Sequence, residues 1–202
     1  MLPDWSRPYF VPGGDDAFLL YLIFGDLPEE PAVSRSKYRF GGLPGGIEIT
    51  RHDSGSGPEQ DRFRRGPEWE RLQRERPEVA AAIRPGTQVT TVRGAIADPA
   101  TLNYFRDVVG LIQCLLDCGG VAVYDSLALK WWAPEEWREG AFESTAGAPQ
   151  RHITILSSPL EDGEWLHSTA MRKYGRPDLS VRRVAPELRS GVVELLRRFI
   201  DF

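Results

Sequence analysis

The chain has 202 residues, with 25 Lys and Arg against 29 Asp and Glu, a formal net charge of −4, 41% hydrophobic and 27% charged residues. That near-balance excludes a polyanion binder built on overall charge and a globally disordered chain. The length allows one domain to bury a core without covalent staples. Of the 25 cations only Lys37, Lys130 and Lys173 are lysine, and Asn103 is the one asparagine, a bias expected of a GC-rich bacterial genome. The expected organisation is a single domain over residues 1–202, with a less regular N-terminal region over 1–87 and an α+β core over 88–202.

In the first region Ala17–Phe24 is continuously apolar between Gly-Asp-rich flanks, and periodicity leaves it open as a buried strand or a short core helix. At eight residues it is far too short for a membrane span, which needs about 20. Met1–Trp5 lacks the basic and apolar runs of a signal peptide. Gly41–Gly46 reads as a loop and lacks the Gly-Lys-Ser/Thr end of a phosphate loop. Residues 53–58 form a second flexible stretch. Pro67–Ile83 reads as a helix split by Pro77, and the arginines interleaved with Asp and Glu over residues 59–78, among them Glu59, Asp61 and Arg62, describe a solvated face.

From residue 88 the pattern is clearer. Gln88–Ile96 is β-branched and reads as a strand. Asp98-Pro99 predicts a helix start, followed by an apolar stripe through Leu102, Phe105, Val108, Val109, Ile112, Leu115 and Leu116 that ends at Gly119-Gly120. Val121–Tyr124 is a short buried strand. This strand–helix–strand unit predicts a parallel pair with a right-handed crossover. The stretch Asp125–Trp132 reads as extended, and Pro134 opens a short helix to Phe142 with Trp137 inward. Arg151–Ser157 and Glu164–Thr169 read as the arms of a hairpin turning at Asp162-Gly163. A turn closes at Gly175, Asp178–Val184 is a strand, and Pro186 opens a C-terminal helix. The expected fold class is α+β: a mixed sheet with a βαβ unit, a following hairpin and a C-terminal helix, plus an irregular N-terminal region.

Two stretches carry a resemblance. Residues 110–137 contain Gly-Leu-Ile-Gln-Cys-Leu-Leu-Asp-Cys-Gly-Gly-Val-Ala-Val-Tyr-Asp and then Ala-Pro-Glu-Glu-Trp. Residues 169–181 read Thr-Ala-Met-Arg-Lys-Tyr-Gly-Arg-Pro-Asp-Leu-Ser-Val. Over roughly residues 88–202 the chain resembles an uncharacterised bacterial family, one of the domains of unknown function. It departs from that family at Ala170, where members tend to have Gly, and at Asp178 and Ser180, where acidic residues are common. The resemblance implies the order of elements and no chemistry. The second stretch also has a plain structural account: Gly175 supplies a positive φ, Pro177 stops the helix, and Leu179 and Val181 alternate into the core.

The chemistry-bearing residues are sparse. Cys114 and Cys118 share a helix face and read as reduced thiols in a cytoplasm. His52, His152 and His167 have no metal-ligand spacing, so no metal and no cofactor are expected. His152 is read as opening a strand and His167 as lying on the return strand of the hairpin, close enough for their side chains to meet in some registers and not in others. Adjacent Trp131 and Trp132 point opposite ways if extended, which offers one of them to solvent as an interface anchor. From residue 172 to 198 eight cations (Arg172, Lys173, Arg176, Arg182, Arg183, Arg189, Arg197 and Arg198) outnumber Asp178, Glu187 and Glu194. The candidate interaction or ligand residues are Trp131, Trp132, His167, Arg172, Tyr174, Arg176 and Asp178. The leading expectation is a cytoplasmic, non-catalytic protein-interaction or accessory domain, immunity-like in character, with a protein partner and no membrane. One competing reading is a small-molecule or phosphate-handling enzyme with its site at His167, Arg176 and Asp178. Another is nucleic-acid binding through the basic C-terminal stretch, for which no recognition motif is present.

Overall fold

The computed structural model describes residues 2–7, 10–29, 31–52, 64–84, 87–144 and 146–201. The flexible stretch read at 53–58 lies outside them, as do Glu59, Asp61 and Arg62 of the mixed-charge run. The apolar run that periodicity left open is a strand, β1 (Ala17–Gly25). Its odd residues Leu19, Tyr21 and Ile23 enter one buried cluster, and its even residues Leu20, Leu22 and Phe24 face another. A strand covered on both faces has no polar side to alternate, so its sequence carries no period.

β1 sits at the centre of a five-stranded antiparallel sheet with the order β2-β3-β1-β4-β5. The others are β2 (Ile47–His52), β3 (Val89–Ile96), β4 (Gly120–Asp125) and β5 (Lys130–Trp132). This corrects two expectations. β3 and β4 are not a hydrogen-bonded parallel pair, because each pairs antiparallel with β1, which lies between them. The sheet is therefore antiparallel and not mixed. The stretch after β4 does not continue extended: residues 126–129 turn and β5 returns along β4, with Tyr124 opposite Trp131.

One face of this sheet is covered by α3 (Asn103–Asp117), which follows α1 (Pro67–Glu75) and α2 (Pro77–Ala82). The N-terminus of α3 is not at Asp98-Pro99 but four residues later. Asp98 instead accepts the backbone N–H groups of Gly13 and Gly14, so its capping capacity is used on the N-terminal segment. Gly110, in mid-helix, admits the turn at residues 35–39: a Cβ there would lie 2.0 Å from the carbonyl oxygen of Tyr38. Alternation along β5 sends Trp132 to the α3 face and Trp131 to the other face. There α1 and α2 lay Trp69, Leu72, Val79 and Ile83 against Phe24, Val89, Ala122 and Trp131. The proline split is as read, with Pro67 and Pro77 each opening a helix where an amide donor is not needed.

After α4 (Pro134–Trp137), a π-helical turn (Arg138–Phe142) and α5 (Pro149–His152), the chain builds a second sheet. It is antiparallel and ordered β6-β7-β8, from β6 (Thr154–Leu160), β7 (Gly163–Thr169) and β8 (Ser180–Val184). The Asp162-Gly163 hairpin is as read. His152 is not at the start of a strand, because Pro149 opens a helical turn that contains it. The residue opposite His167 is Leu156. The C-terminal helix α6 (Arg189–Asp201) places Val192, Val193 and Leu196 over Leu166, Val181 and Val184. Between β7 and β8, Ala170 (φ 84) and Gly175 (φ 61) flank a short 3₁₀ turn in the left-handed region. Asp178 clamps that turn, accepting from the Ser168 hydroxyl at 2.9 Å and the Met171 N–H at 3.2 Å.

Candidate functional site

The predicted site residues do not gather in one place: Arg172, Arg176 and Asp178 share a cleft, and Trp131, Trp132 and His167 lie away from it. Trp131 and Trp132 are 8% and 3% exposed, so neither is a solvent-facing anchor; both faces of the sheet are covered, and opposite directions lead to opposite cores. Trp131 packs on Tyr124, Phe24 and Trp69, and Trp132 on Trp137 and His152. Tyr174 is buried against Phe105. Arg172 is exposed and lies over the Phe18 ring. Arg176 and Asp178 share a shallow cleft with Arg172, Asp15 and Asp16. His167 is elsewhere: it alternates with Ser168, whose hydroxyl holds Asp178, and stacks on Trp165 at 4.1 Å. The proposed trio of His167, Arg176 and Asp178 is thus split across the two faces of β7.

A polar cluster that sequence reading missed lies in the core. The ammonium of Lys173 donates to the Asp125 carboxylate, and both side chains are 0% exposed. Lys173 also donates to the His152 carbonyl at 2.8 Å, and its own carbonyl accepts from the Tyr104 hydroxyl at 2.5 Å. Asp125 further accepts the Ala128 N–H at 3.1 Å. Burial pushes the Asp125 carboxyl up and the Lys173 ammonium down, and the attraction between them opposes both shifts. The His152 ring sits edge-on to Phe105 at 4.9 Å with neither ring nitrogen hydrogen-bonded. Burial, then the nearby Lys173 and Lys130, hold it well below the usual histidine range, so it is neutral. The cluster joins α3, α5, the turn after β4 and the 3₁₀ turn. Lys173, Asp125, His152 and Tyr104 line none of the main clefts among the described residues, and this geometry is that of a structural pin.

The surface feature with directed chemistry is a groove of about 440 Å³ between β6, α5 and α6. β6 is an edge strand, hydrogen-bonded to β7 alone. Four consecutive β6 residues, Thr154 to Ser157, line the groove. Since successive side chains point to opposite faces, an unbroken run means that the groove follows the strand's free edge. Its apolar base includes Ile153, Leu166, Val193 and Ile200, and its walls carry Lys130, Arg151, Arg189 and Arg197 with no carboxylate among the lining residues. Arg189 is held by Glu164 at 3.0 Å. Arg151 and Arg197 are exposed and form no ion pair among the described residues. The Lys130 ammonium donates to the Arg151 carbonyl at 3.0 Å and lies over the Trp132 ring. Burial pushes its pKa down to about 8.

Sequence reading found half of this groove. Arg189 and Arg197 belong to the basic stretch, whereas Arg182 is drawn to Trp165 and Arg183 to Asp162. Lys130 and Arg151 are 21 residues apart in sequence and gave no local signal. Among the described residues no group of three His, Cys, Asp or Glu side chains is placed to hold a metal ion, and no helix is long and apolar enough to cross a membrane. Cys114 and Cys118 are free thiols. No protein-family model matches the chain, and no curated protein and no solved structure matches it either.

Proposed function

We propose that the protein is a non-catalytic interaction domain that captures an extended acidic segment of a protein partner along β6. The observation that carries this reading is a groove with four cations and no carboxylate laid along an unpaired strand edge. An added strand satisfies the outward backbone groups of β6, and the alternating side chains of that strand meet the cations and the apolar base. The remaining edge is blunted at its far end by Pro159, as natural edges are. A cytoplasmic, accessory or immunity-like role fits such a capture surface. The separation of His167 from Arg176 and Asp178 favours it over the phosphate-handling enzyme.

The test is fluorescence anisotropy of a labelled decapeptide alternating Glu and Val. Controls are its Lys-Val counterpart, a single-stranded DNA and a duplex DNA of equal charge. Saturable binding of the acidic peptide, weakened at least about tenfold by Arg151→Glu with Arg197→Glu, supports the reading. Both arginines are exposed, so folding is not at risk. Equal binding by the double variant refutes it, as does tighter binding of either DNA. Because Lys130 loses its proton near pH 8, peptide affinity falls as pH rises through that value while the arginines stay charged.

A further inference from the structure

The chain has three lysines, Lys37, Lys130 and Lys173, and the fold leaves one of them open to chemistry. Lys37 is exposed and ion-paired with Asp117 at 2.9 Å, and hydrogen bonds to Tyr38 and Asp117 raise its pKa. Lys173 has no exposure and is committed to Asp125. Lys130 differs from both. Alternation along β5 puts it on the same face as Trp132, and its Nζ lies 3.5 Å from the centre of that ring. It is half-buried, lines the β6 groove and forms no ion pair among the described residues.

The contacts of the nitrogen orient it. One N–H is donated to the Arg151 carbonyl at 3.0 Å, and the ring face attracts another. Tetrahedral geometry leaves the remaining position, a lone pair once a proton is lost, on the side away from both. The surroundings favour that loss. Burial is the largest cause and brings the pKa down to about 8; Lys173 and Arg151 act in the same direction, while Asp125 and Glu136 oppose it. The nearby His152 ring is neutral, and Arg189 and Arg197 on the α6 wall add positive charge. At pH 7.5 about a quarter of Lys130 is free amine, against roughly 0.1% for a lysine at the ordinary value near 10.4.

We propose that Lys130 is a site of covalent acylation by acyl phosphates. The amine nitrogen attacks the carbonyl carbon. A C–N bond forms as the C–O bond to phosphate breaks, phosphate leaves with that electron pair, and the surplus proton on nitrogen passes to water. Arg151 and Arg197, exposed and without an ion pair among the described residues, hold the anionic leaving group. The product is a neutral amide, so the groove loses one of its four cations. That this weakens capture of an acidic segment rests on the function proposed above; the acylation itself does not.

The experiment treats the intact protein with acetyl phosphate at pH 7.5 and follows each lysine by peptide mass spectrometry. No acidic peptide is present, so a failure of peptide capture leaves this result untouched. The expected result is acetylation of Lys130 at least about tenfold faster than of Lys37 or Lys173, with the preference lost in urea. That figure discounts the free-amine excess for the lower nucleophilicity of a less basic nitrogen. The Lys130 rate rises with pH and levels off above about pH 8. The double variant Arg151→Gln with Arg197→Gln is compared with the parent at about pH 9.5, where Lys130 is neutral in both. It lowers the rate with acetyl phosphate, relative to the rate with neutral N-hydroxysuccinimide acetate, by at least about threefold. Equal reaction of Lys130 and Lys37 in the folded protein overturns the proposal. So does a preference that persists in urea, or a double variant in which the ratio of the two rates is unchanged.

Discussion

Replacing Lys173 with Met tests the buried pin directly. The side chains have similar length, so the change leaves little cavity and isolates the charge. Asp125 then keeps the Ala128 N–H but loses the ammonium, in a site with no exposure. A lone buried carboxylate neutralises rather than staying ionised. Taking up a proton at pH 7 against an unfolded-state pKa near 3.9 costs about 4 kcal/mol at 1.36 kcal/mol per unit. That agrees with the roughly 3–5 kcal/mol expected when one partner of a buried pair is removed. The sign follows from the protons bound. The native variant holds a proton that its unfolded chain releases above about pH 4, so stability falls as pH rises, by about 1.4 kcal/mol per unit. Relative to the parent, the deficit is therefore about 1.5 kcal/mol at pH 5 and about 4 kcal/mol at pH 7. Urea unfolding followed by tryptophan fluorescence at pH 5, 6, 7 and 8 measures it, with Trp132 and Trp137 as reporters beside His152. The double variant Asp125→Asn with Lys173→Met has no charge to bury and is expected to recover more than half of the pH 7 loss. A deficit below about 1 kcal/mol at pH 7, or one that is flat across the pH range, refutes the reasoning.

Two further predictions concern neighbouring residues. His152 is held neutral in the fold, while the unfolded chain takes up a proton below about pH 6.5, so stability falls as pH drops below that value by up to about 1.4 kcal/mol per unit. The difference between the parent and His152→Phe, measured by urea unfolding from pH 4.5 to 7.5, isolates this slope from the opposite contribution of Asp125; equal slopes would exclude it. Ala170 carries a φ of 84, and Ala170→Gly relieves a strain of about 1–3 kcal/mol while freeing the unfolded chain by about 0.4–1 kcal/mol. The variant should melt a few degrees higher in a thermal scan, and an unchanged or lower melting temperature counts against the strain.

The sequence was most legible where an element has one buried face or a sharp terminus. The α3 stripe, the Asp162-Gly163 hairpin, the split at Pro77 and the left-handed Gly175 each have a local cause, and each is found. At the other end of the same turn Ala170 also adopts the left-handed conformation that glycine favours. Sheet order was not legible. β3, α3 and β4 read as a complete crossover, and nothing within residues 88–125 reports that a strand from near the N-terminus inserts between the two. The strand that does so is buried on both faces, which is the case in which periodicity is silent.

The same limit explains the site. Function was sought where cations and a recognisable turn coincide in sequence, at Arg172, Arg176 and Asp178. There Asp178 is spent on clamping the turn and Arg172 rests on Phe18. The surface with unmet chemistry is instead assembled across distant segments. Lys130 and Arg151 meet Arg189 and Arg197 because the second sheet folds back on the β4–β5 turn. That turn is fixed by the Thr154 hydroxyl on the Ala128 carbonyl and the Thr169 hydroxyl on the Leu127 carbonyl. Across the five-stranded sheet, Thr50, Thr91, Leu22, Tyr124 and Trp131 likewise fall in one register row. Shifting any of these strands by one residue would turn its member of the row to the opposite face. Strand pairing, and not any local motif, therefore determines which side chains meet, and variants that leave the register intact are the ones that can test the β6 groove.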